Sequence, residues 1–340
     1  MQRRYPYPTS TRILLQVASG SRIRARVLDP ATGYLIELVR GQRRHLAYQH
    51  ILPLNLLAAT YIATDKSHTR ALLARSGYRV PEGQIFFRQR FFRKVDYARG
   101  RGLTAALRYA RRLGYPVYVK PNSLSQGLAV RRVYSPAELR AAVRAIFELV
   151  TEREYAFVIE RPVDGLELRL LVLDGKLLAA IRREPPGVVG DGRRPLRALI
   201  ARFQKQARAR GLIPPDSAPL RRCLRAQGLT LGSVLPRGAG AVLDDTATNL
   251  SRGGRAQIVP LSQLAACGAA QLARRVAELL DLRYAAIDLK VPSLSAPMSD
   301  ATILEVNSAP GLSRLYELGY QREVFSIYRR LLAALFKAHR

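Results

Sequence analysis

The sequence predicts a chain of mixed α+β and α/β character, and three observations carry that reading. Amphipathic segments of helix period alternate with short apolar segments of strand character from about residue 64 onward. Gly and Pro signals punctuate the segments. Finally, 48% of the 340 residues are hydrophobic, enough to bury a large core. At roughly 100–200 residues per domain, this length fits two domains, or one large domain with a subdomain.

Residues 1–63 read as a short β-rich region with segments Ile13–Val17, Ile23–Leu28 and Tyr34–Val39. Residues 64–163 read as a second unit. Thr64-Asp65-Lys66-Ser67 precedes a capped helix over Thr69–Ser76, which Gly77 stops before the turn Val80–Gly83. Leu103–Leu113 is an amphipathic helix, Val117–Val119 a strand ending in Lys120-Pro121, and Ser135-Pro136 starts a helix running to about Val150. Phe157–Glu160 is a short buried strand.

Residues 164–340 form the third unit. Strands Glu167–Leu173 and Leu177–Arg182 flank the hairpin turn Asp174-Gly175. Arg197–Arg210 is a basic helix, and Gly211–Gly240 a long irregular excursion. A helix over Leu261–Leu280 leads to strands Tyr284–Val291 and Thr302–Val306, and Glu323–His339 closes the chain as an amphipathic helix.

The formal charge is +31, and only seven of the 56 Lys+Arg residues are lysine, so a retained lysine is informative. Such a charge raises a nucleic-acid partner, yet there is no Trp and no aromatic string of the kind RNA-binding sheets use. Cys223 and Cys267 form no CxxC pair, and the four histidines lack metal-ligand spacing. The apolar stretch Ile51–Ala63 contains Pro53 and Asn55 and is shorter than the ~20 residues of a membrane span. Ile13–Ala18 is too short for a signal-peptide core. These features read as a soluble, cytoplasmic protein without a membrane association.

Three sites carry chemistry. Glu305 and Asn307 lie two apart on a strand and point to one face, where a neighbouring strand can add Asp288. Three hard oxygen donors of this kind suit Mg²⁺; the same residues also read as a strand-end acid beside a turn. Lys120 ends a strand before the hydroxyl-rich loop Asn122–Gly127, a setting for a phosphate or for a plain surface loop. Glu160-Arg161-Pro162-Val163 follows an apolar strand, with Glu167 beyond Gly165. Such a hinge offers backbone groups to an adenine edge and a carboxylate to ribose hydroxyls, or serves as an interdomain turn.

In this order, Lys66, Lys120, Glu160, Glu167, Asp288, Glu305 and Asn307 resemble the ATP-grasp ligases. The strings Ala180–Gly192, Gly228–Gly238 and Asn249–Gly254 are similar to the ATP-grasp module of cyanophycin synthetase and of the bifunctional glutathione synthetases, over roughly Gly33 to Gly311. The resemblance implies an ATP-grasp fold of two α+β subdomains gripping ATP, 64–163 and 164–340, behind the N-terminal region. It implies that Lys66 and Lys120, with Ser123 and Gly127 of the loop, hold ATP phosphates, that Glu160 and the Val163 backbone bind adenine, and that Glu167 binds ribose. Asp288, Glu305 and Asn307 would hold two Mg²⁺ ions. Arg183, with Arg182 beside it, would meet the transferred phosphoryl group, and Asn249, Ser251, Gly253 and Gly254 would lie near the phosphates and the incoming carboxylate. The chain departs from the family pattern at Ala129 (glycine), Gly187 (histidine) and Asp245 (arginine).

The activity so implied is amide or peptide bond formation between an acid and an amine, driven by ATP through an acyl phosphate, with a lid at about Glu82 to Glu160. Its partners are amino acids or short peptides, acidic ones matching the excess arginine, and a homo-oligomer is compatible. The alternative is a basic nucleic-acid- or polyanion-binding protein on a degenerate ATP-grasp scaffold.

Overall fold

The computed structural model describes residues 7–88, 100–124, 127–149, 155–215, 217–244, 248 and 250–337. Helix α1 (Thr9–Ser19) comes first, followed by β1 (Arg24–Val27), β2 (Leu35–Arg40) and β3 (Arg43–Tyr48), an antiparallel sheet in chain order. The segment Ile13–Val17, expected as a strand, is thus helical. Ile13, Leu14, Val17 and Ala18 form one buried stripe at helix spacing, and the helix begins directly after Pro8. Helix α2 (Leu57–Thr64) takes up the second half of the apolar stretch Ile51–Ala63 and ends one residue beyond it. Asp65 caps the next helix, α3 (Lys66–Arg75), by accepting the His68 backbone N–H at 2.8 Å.

Strands β4 (Gly83–Phe87), β5 (Val117–Pro121), β6 (Arg131–Val133) and β7 (Ala156–Glu160) make a second antiparallel sheet in the order β4-β7-β5-β6. Helices α4 (Leu103–Leu113) and α5 (Pro136–Leu149) pack on it. Leu107, Ala110, Leu139 and Ile146 meet Phe86, Val119, Phe157 and Ile159 in a self-contained core. β7 lies between two strands and is buried along its whole length, so Glu160 at its end is buried with it. The expected lid, Glu82 to Glu160, falls partly outside the described residues.

The hairpin of β8 (Leu166–Leu173) and β9 (Lys176–Glu184) turns at Asp174 and Gly175, whose φ values of 46° and 72° are those a two-residue turn of matching twist needs. An excursion follows. β10 (Gly187–Val189) and β11 (Gly240–Val242) pair, and helices α6 (Leu196–Ala209) and α7 (Ser217–Ala226) close a satellite core with Val188, Leu199, Leu224 and Leu243. The stretch expected to be irregular therefore contains a helix, whose Leu220 and Leu224 stripe is short and flanked by Pro and Gly.

The chain ends with β12 (Arg255–Val259), α8 (Ala269–Leu279), β13 (Tyr284–Val291), β14 (Thr302–Asn307), α9 (Ser313–Glu317) and α10 (Gln321–Leu335). The helix expected over Leu261–Leu280 is two pieces, a short turn and α8, separated at Gly268 with φ 83°. The third sheet is antiparallel, in the order β12-β9-β8-β13-β14. Strand alternation divides its faces. Leu168, Leu170, Ile287 and Leu289 pack on α8, while Leu171, Ile181 and Ala286 pack toward α1 and α10. At one end the second face turns polar, carrying Glu167, Arg169, Arg183, Asp288, Lys290, Glu305 and Asn307.

Candidate active site

That polar end faces the second sheet across a cavity of about 320 Å³. From the five-stranded sheet come Glu167, Arg183, Asp288, Lys290 and Glu305. From the four-stranded sheet come Tyr118, Lys120, Arg132 and Glu160, and the hinge at 161–165, including Val163, closes one side. Lys66 and Gly127 also line it. Period-two alternation explains these groupings, since each pair Glu167/Arg169, Asp288/Lys290 and Glu305/Asn307 is two residues apart on its strand.

Asp288 is the centre of the charged set. It pairs in register with Arg169 of β8 and Glu305 of β14. Arg169 donates from Nε to Oδ1 at 2.6 Å and from Nη2 to Oδ2, and Arg183 Nη1 lies 3.5 Å from Oδ2. Burial alone would raise the Asp288 pKa, but the two guanidinium charges and the Arg169 hydrogen bonds outweigh it and hold the carboxyl at about 2. Burial and the neighbouring Arg169 charge lower the pKa of Arg183.

Asn307 Nδ2 donates to Asp288 Oδ2 and to Glu305 Oε1, each at 3.4 Å, so the three predicted donors converge. The two carboxylates and the carboxamide form a hard oxygen set that fits Mg²⁺. Rotating the amide by half a turn about its last bond presents Oδ1 in place of Nδ2. Among the described residues there is no cluster of three His, Cys, Asp or Glu side chains suited to a metal.

Across the cavity, Lys120 Nζ lies 2.6 Å from Glu160 Oε2. Burial pulls the lysine pKa down, and the facing carboxylate more than offsets it, so the net shift is upward. Lys66 Nζ donates to the Leu124 carbonyl and so ties α3 to the loop after β5. Asp65 reinforces this by accepting from Asn122 Nδ2 at 2.7 Å. Glu167 accepts from Thr248 Oγ1 and lies 3.7 Å from Lys290 Nζ.

Other predicted residues lie elsewhere. Ser123 is half-buried on the loop and does not line the cavity. Arg182 points to the opposite sheet face from Arg183, with Nη2 3.0 Å from Glu184 Oε1. Ser251 sits in the turn Leu250–Arg252, its carbonyl accepting the Ile213 N–H at 2.9 Å. Asn249 and Asp245 lie outside the described residues. Gly253 and Gly254 line a second cavity of about 220 Å³ between α6, β12 and α9, together with Phe203, Arg210, Arg255, Arg314 and Glu317. A Cβ on Gly253, whose φ is 87°, would sit 2.7 Å from the Phe203 ring. Gly187 lines the same cavity, where a Cβ would lie 2.9 Å from the Ala241 carbonyl oxygen. Arg169, Lys290 and Thr248 were not anticipated; the first two could have been found by continuing the two-residue alternation from Glu167 and Asp288.

No family model matches the chain. It is 32% identical over 267 residues to a cyanophycin synthetase of Trichormus variabilis, a match covering 74% of this chain and 26% of that protein. With the glutathione biosynthesis bifunctional protein GshAB of Streptococcus mutans it shares 25% identity over 345 residues, 96% of this chain and 42% of the relative. The chain thus spans less than half the length of the curated relatives it matches. The crystal structure of a bifunctional glutathione synthetase from Pasteurella multocida superposes with a TM-score of 0.58 at 20% identity, over 96% of this chain and 44% of that one. The two sheets facing each other across a charged cavity are accordingly an ATP-grasp fold, in a chain whose sequence is similar to cyanophycin synthetases and bifunctional glutathione synthetases.

Proposed function

We propose that the chain is an ATP-dependent carboxylate–amine ligase acting on amino acids or short peptides. One observation carries the reading: Lys120 with Glu160, Arg183, Asp288 and Glu305 border one cavity between two sheets, and Asn307 hydrogen-bonds to the last two of them. The lysines and Arg183 place fixed positive charge where a triphosphate and a carboxylate would otherwise repel each other. Glu160 and the Val163 backbone suit an adenine edge, and Glu167, steadied by Thr248 and Lys290, suits a ribose. Asp288, Glu305 and Asn307 would hold Mg²⁺, two ions in this reading. When bound, Mg²⁺ supplies further charge neutralisation between the reacting anions. A substrate carboxylate oxygen displaces ADP from the γ-phosphorus; the amine then adds to the acyl phosphate, expels phosphate and loses a proton. The facing sheets exclude water from that acyl phosphate.

The second cavity would take the acid or amine substrate. Its lining carries Arg210, Arg255 and Arg314 against Glu317, which favours an acidic amino acid or peptide with one ammonium group. Among the described residues no helix is long and apolar enough to cross a membrane, and both cysteines are buried without a disulfide. Both facts accord with a cytoplasmic site of action.

Formation of ADP and phosphate is to be measured across pairs of amino acids, dipeptides and amines. Turnover that needs both an acid and an amine, and that is lost in Glu305→Ala, is the expected result; full activity of that variant would sink the reading. The polyanion-binding alternative draws on one feature, the exposed cations Arg197, Arg202, Lys205, Arg208, Arg221 and Arg225 along α6 and α7. Release from a polyanion column at ~0.15 M salt would dismiss it.

A further inference from the structure

Strand β14 stops at Asn307, and the next three carbonyls leave the ladder. Each is nevertheless held by a side chain. Asn55 Nδ2 donates to Ser308 O at 2.6 Å, His50 Nε2 to Ala309 O at 3.2 Å, and Tyr284 Oη to Pro310 O at 3.2 Å. Asn55 does more than cap one carbonyl. Its Nδ2 also reaches Tyr284 O at 2.7 Å, and its Oδ1 accepts the N–H groups of Arg283 at 2.8 Å and Tyr284 at 3.0 Å. One side chain thus bonds to both backbone groups of the first residue of β13 and to the first residue beyond β14. It occupies the place a further strand pair would take, next to the last pair Ala286↔Asn307. His50 packs against Gly311, where a Cβ would lie 3.2 Å from its Nε2.

Ordered carbonyls outside a ladder could be met by water, which would leave the loop free to shift. Here two of the three are met by residues of the N-terminal region, some 250 positions earlier in the chain, and the third by Tyr284. The held segment runs from Asn307, hydrogen-bonded to the Asp288 and Glu305 that line one cavity, to Arg314 and Glu317 at the other.

We propose that Asn55 and His50 are positioning residues. They fix the 308–311 loop and so set the Asn307 carboxamide against Asp288 and Glu305, making the N-terminal region part of the metal-holding geometry. This rests on the ligase reading only in taking those three side chains as the metal-holding set. Partners behind a metal's direct ligands commonly change metal affinity by about 10–100-fold when removed.

The experiment uses the full chain and Mn²⁺ as probe, counting free Mn²⁺ by electron paramagnetic resonance beside a non-hydrolysable ATP analogue. Asn55→Ala is expected to weaken Mn²⁺ binding about tenfold, while metal-free analogue binding stays within about twofold of wild type. His50→Ala shifts Mn²⁺ binding in the same direction, and His50→Gln, which keeps a donor, restores it. Leu14→Ala, in the same core, serves as the purely structural control: it loses stability and keeps its Mn²⁺ affinity. Wild-type Mn²⁺ affinity in Asn55→Ala, or equal weakening in Leu14→Ala, overturns the proposal. Should Asn55→Ala fail to fold, the His50 pair decides by the same criteria. A wild-type protein that binds no Mn²⁺ with the analogue would overturn the ligase reading as well, which the variants alone would leave standing.

Discussion

Arg169 and Asp288 stand directly opposite one another on β8 and β13, and the guanidinium grips both carboxylate oxygens. Asp288 is buried and Arg169 is largely so, which leaves the carboxylate little bulk water to fall back on. Removing Arg169 therefore leaves the buried carboxylate with only the longer contacts to Arg183 and Asn307.

Arg169→Met should lower stability at pH 7 by about 3 kcal/mol in the metal-free protein, measured by urea unfolding. The pH dependence follows from the depressed carboxyl. With a folded pKa of about 2 against a usual value near 3.8, Asp288 contributes stability that is fully present above pH ~4 and is lost as pH falls toward 2. The difference between wild type and Arg169→Met should accordingly shrink across that interval.

Glu160→Gln removes the charge that raises the Lys120 pKa most, leaving Glu305 and Tyr118 as the weaker upward influences against the burial that pulls it down. Wild-type Lys120 stays charged through neutral and mildly alkaline pH. In the variant it should lose its proton at lower pH, weakening ATP binding about tenfold at pH 7 and further at pH 9. Calorimetric titration of ATP at the two pH values checks this.

Arg183→Ala and Arg182→Ala separate neighbours that the strand sends to opposite faces. The first should reduce phosphate release by about 10²–10³-fold, the scale of a lost charge-stabilising donor. The second breaks a half-exposed pair with Glu184 and should stay within about fivefold of wild type.

Gly253→Ala should cost about 2 kcal/mol, since alanine is strained at φ 87° and its methyl meets the Phe203 ring. In a Phe203→Leu background the same substitution should cost less, because only the backbone strain remains. Thermal unfolding of the four proteins gives the cycle.

The central strands were legible because their alternation is strong. Tyr284–Val291 and Thr302–Asn307 each carry one acid followed two residues on by another polar residue, Asp288/Lys290 and Glu305/Asn307, within largely apolar runs, so the sequence showed both the strand and the face. Ile13–Val17 misled because four apolar residues around Gln16 fit either period, and packing against α10 resolves it. The strand Arg131–Val133 is three residues long and two of them are arginine, so no pattern marks it. Arg169 was hidden by the abundance of arginine. Asn55 was hidden for a different reason: its partners lie more than 200 residues away, and nothing local distinguishes it from a turn residue. Ala129, where the resemblance leads one to expect glycine, has φ 55°, so the loop keeps its left-handed bend with alanine at about 1 kcal/mol of strain.

The cavity wall has an order of events written into its charges. Among the described residues, the lining includes Lys66, Lys120, Arg132, Arg161, Arg183 and Lys290 against five carboxylates, one of which Arg169 already holds from behind. On the proposed function, a bare divalent cation approaching it would meet net repulsion, whereas a triphosphate would be drawn in and bring the missing negative charge. In the proposed ligase, metal ion and nucleotide should therefore enter as one species, and raising free Mg²⁺ without nucleotide should neither fill the site nor protect the fold.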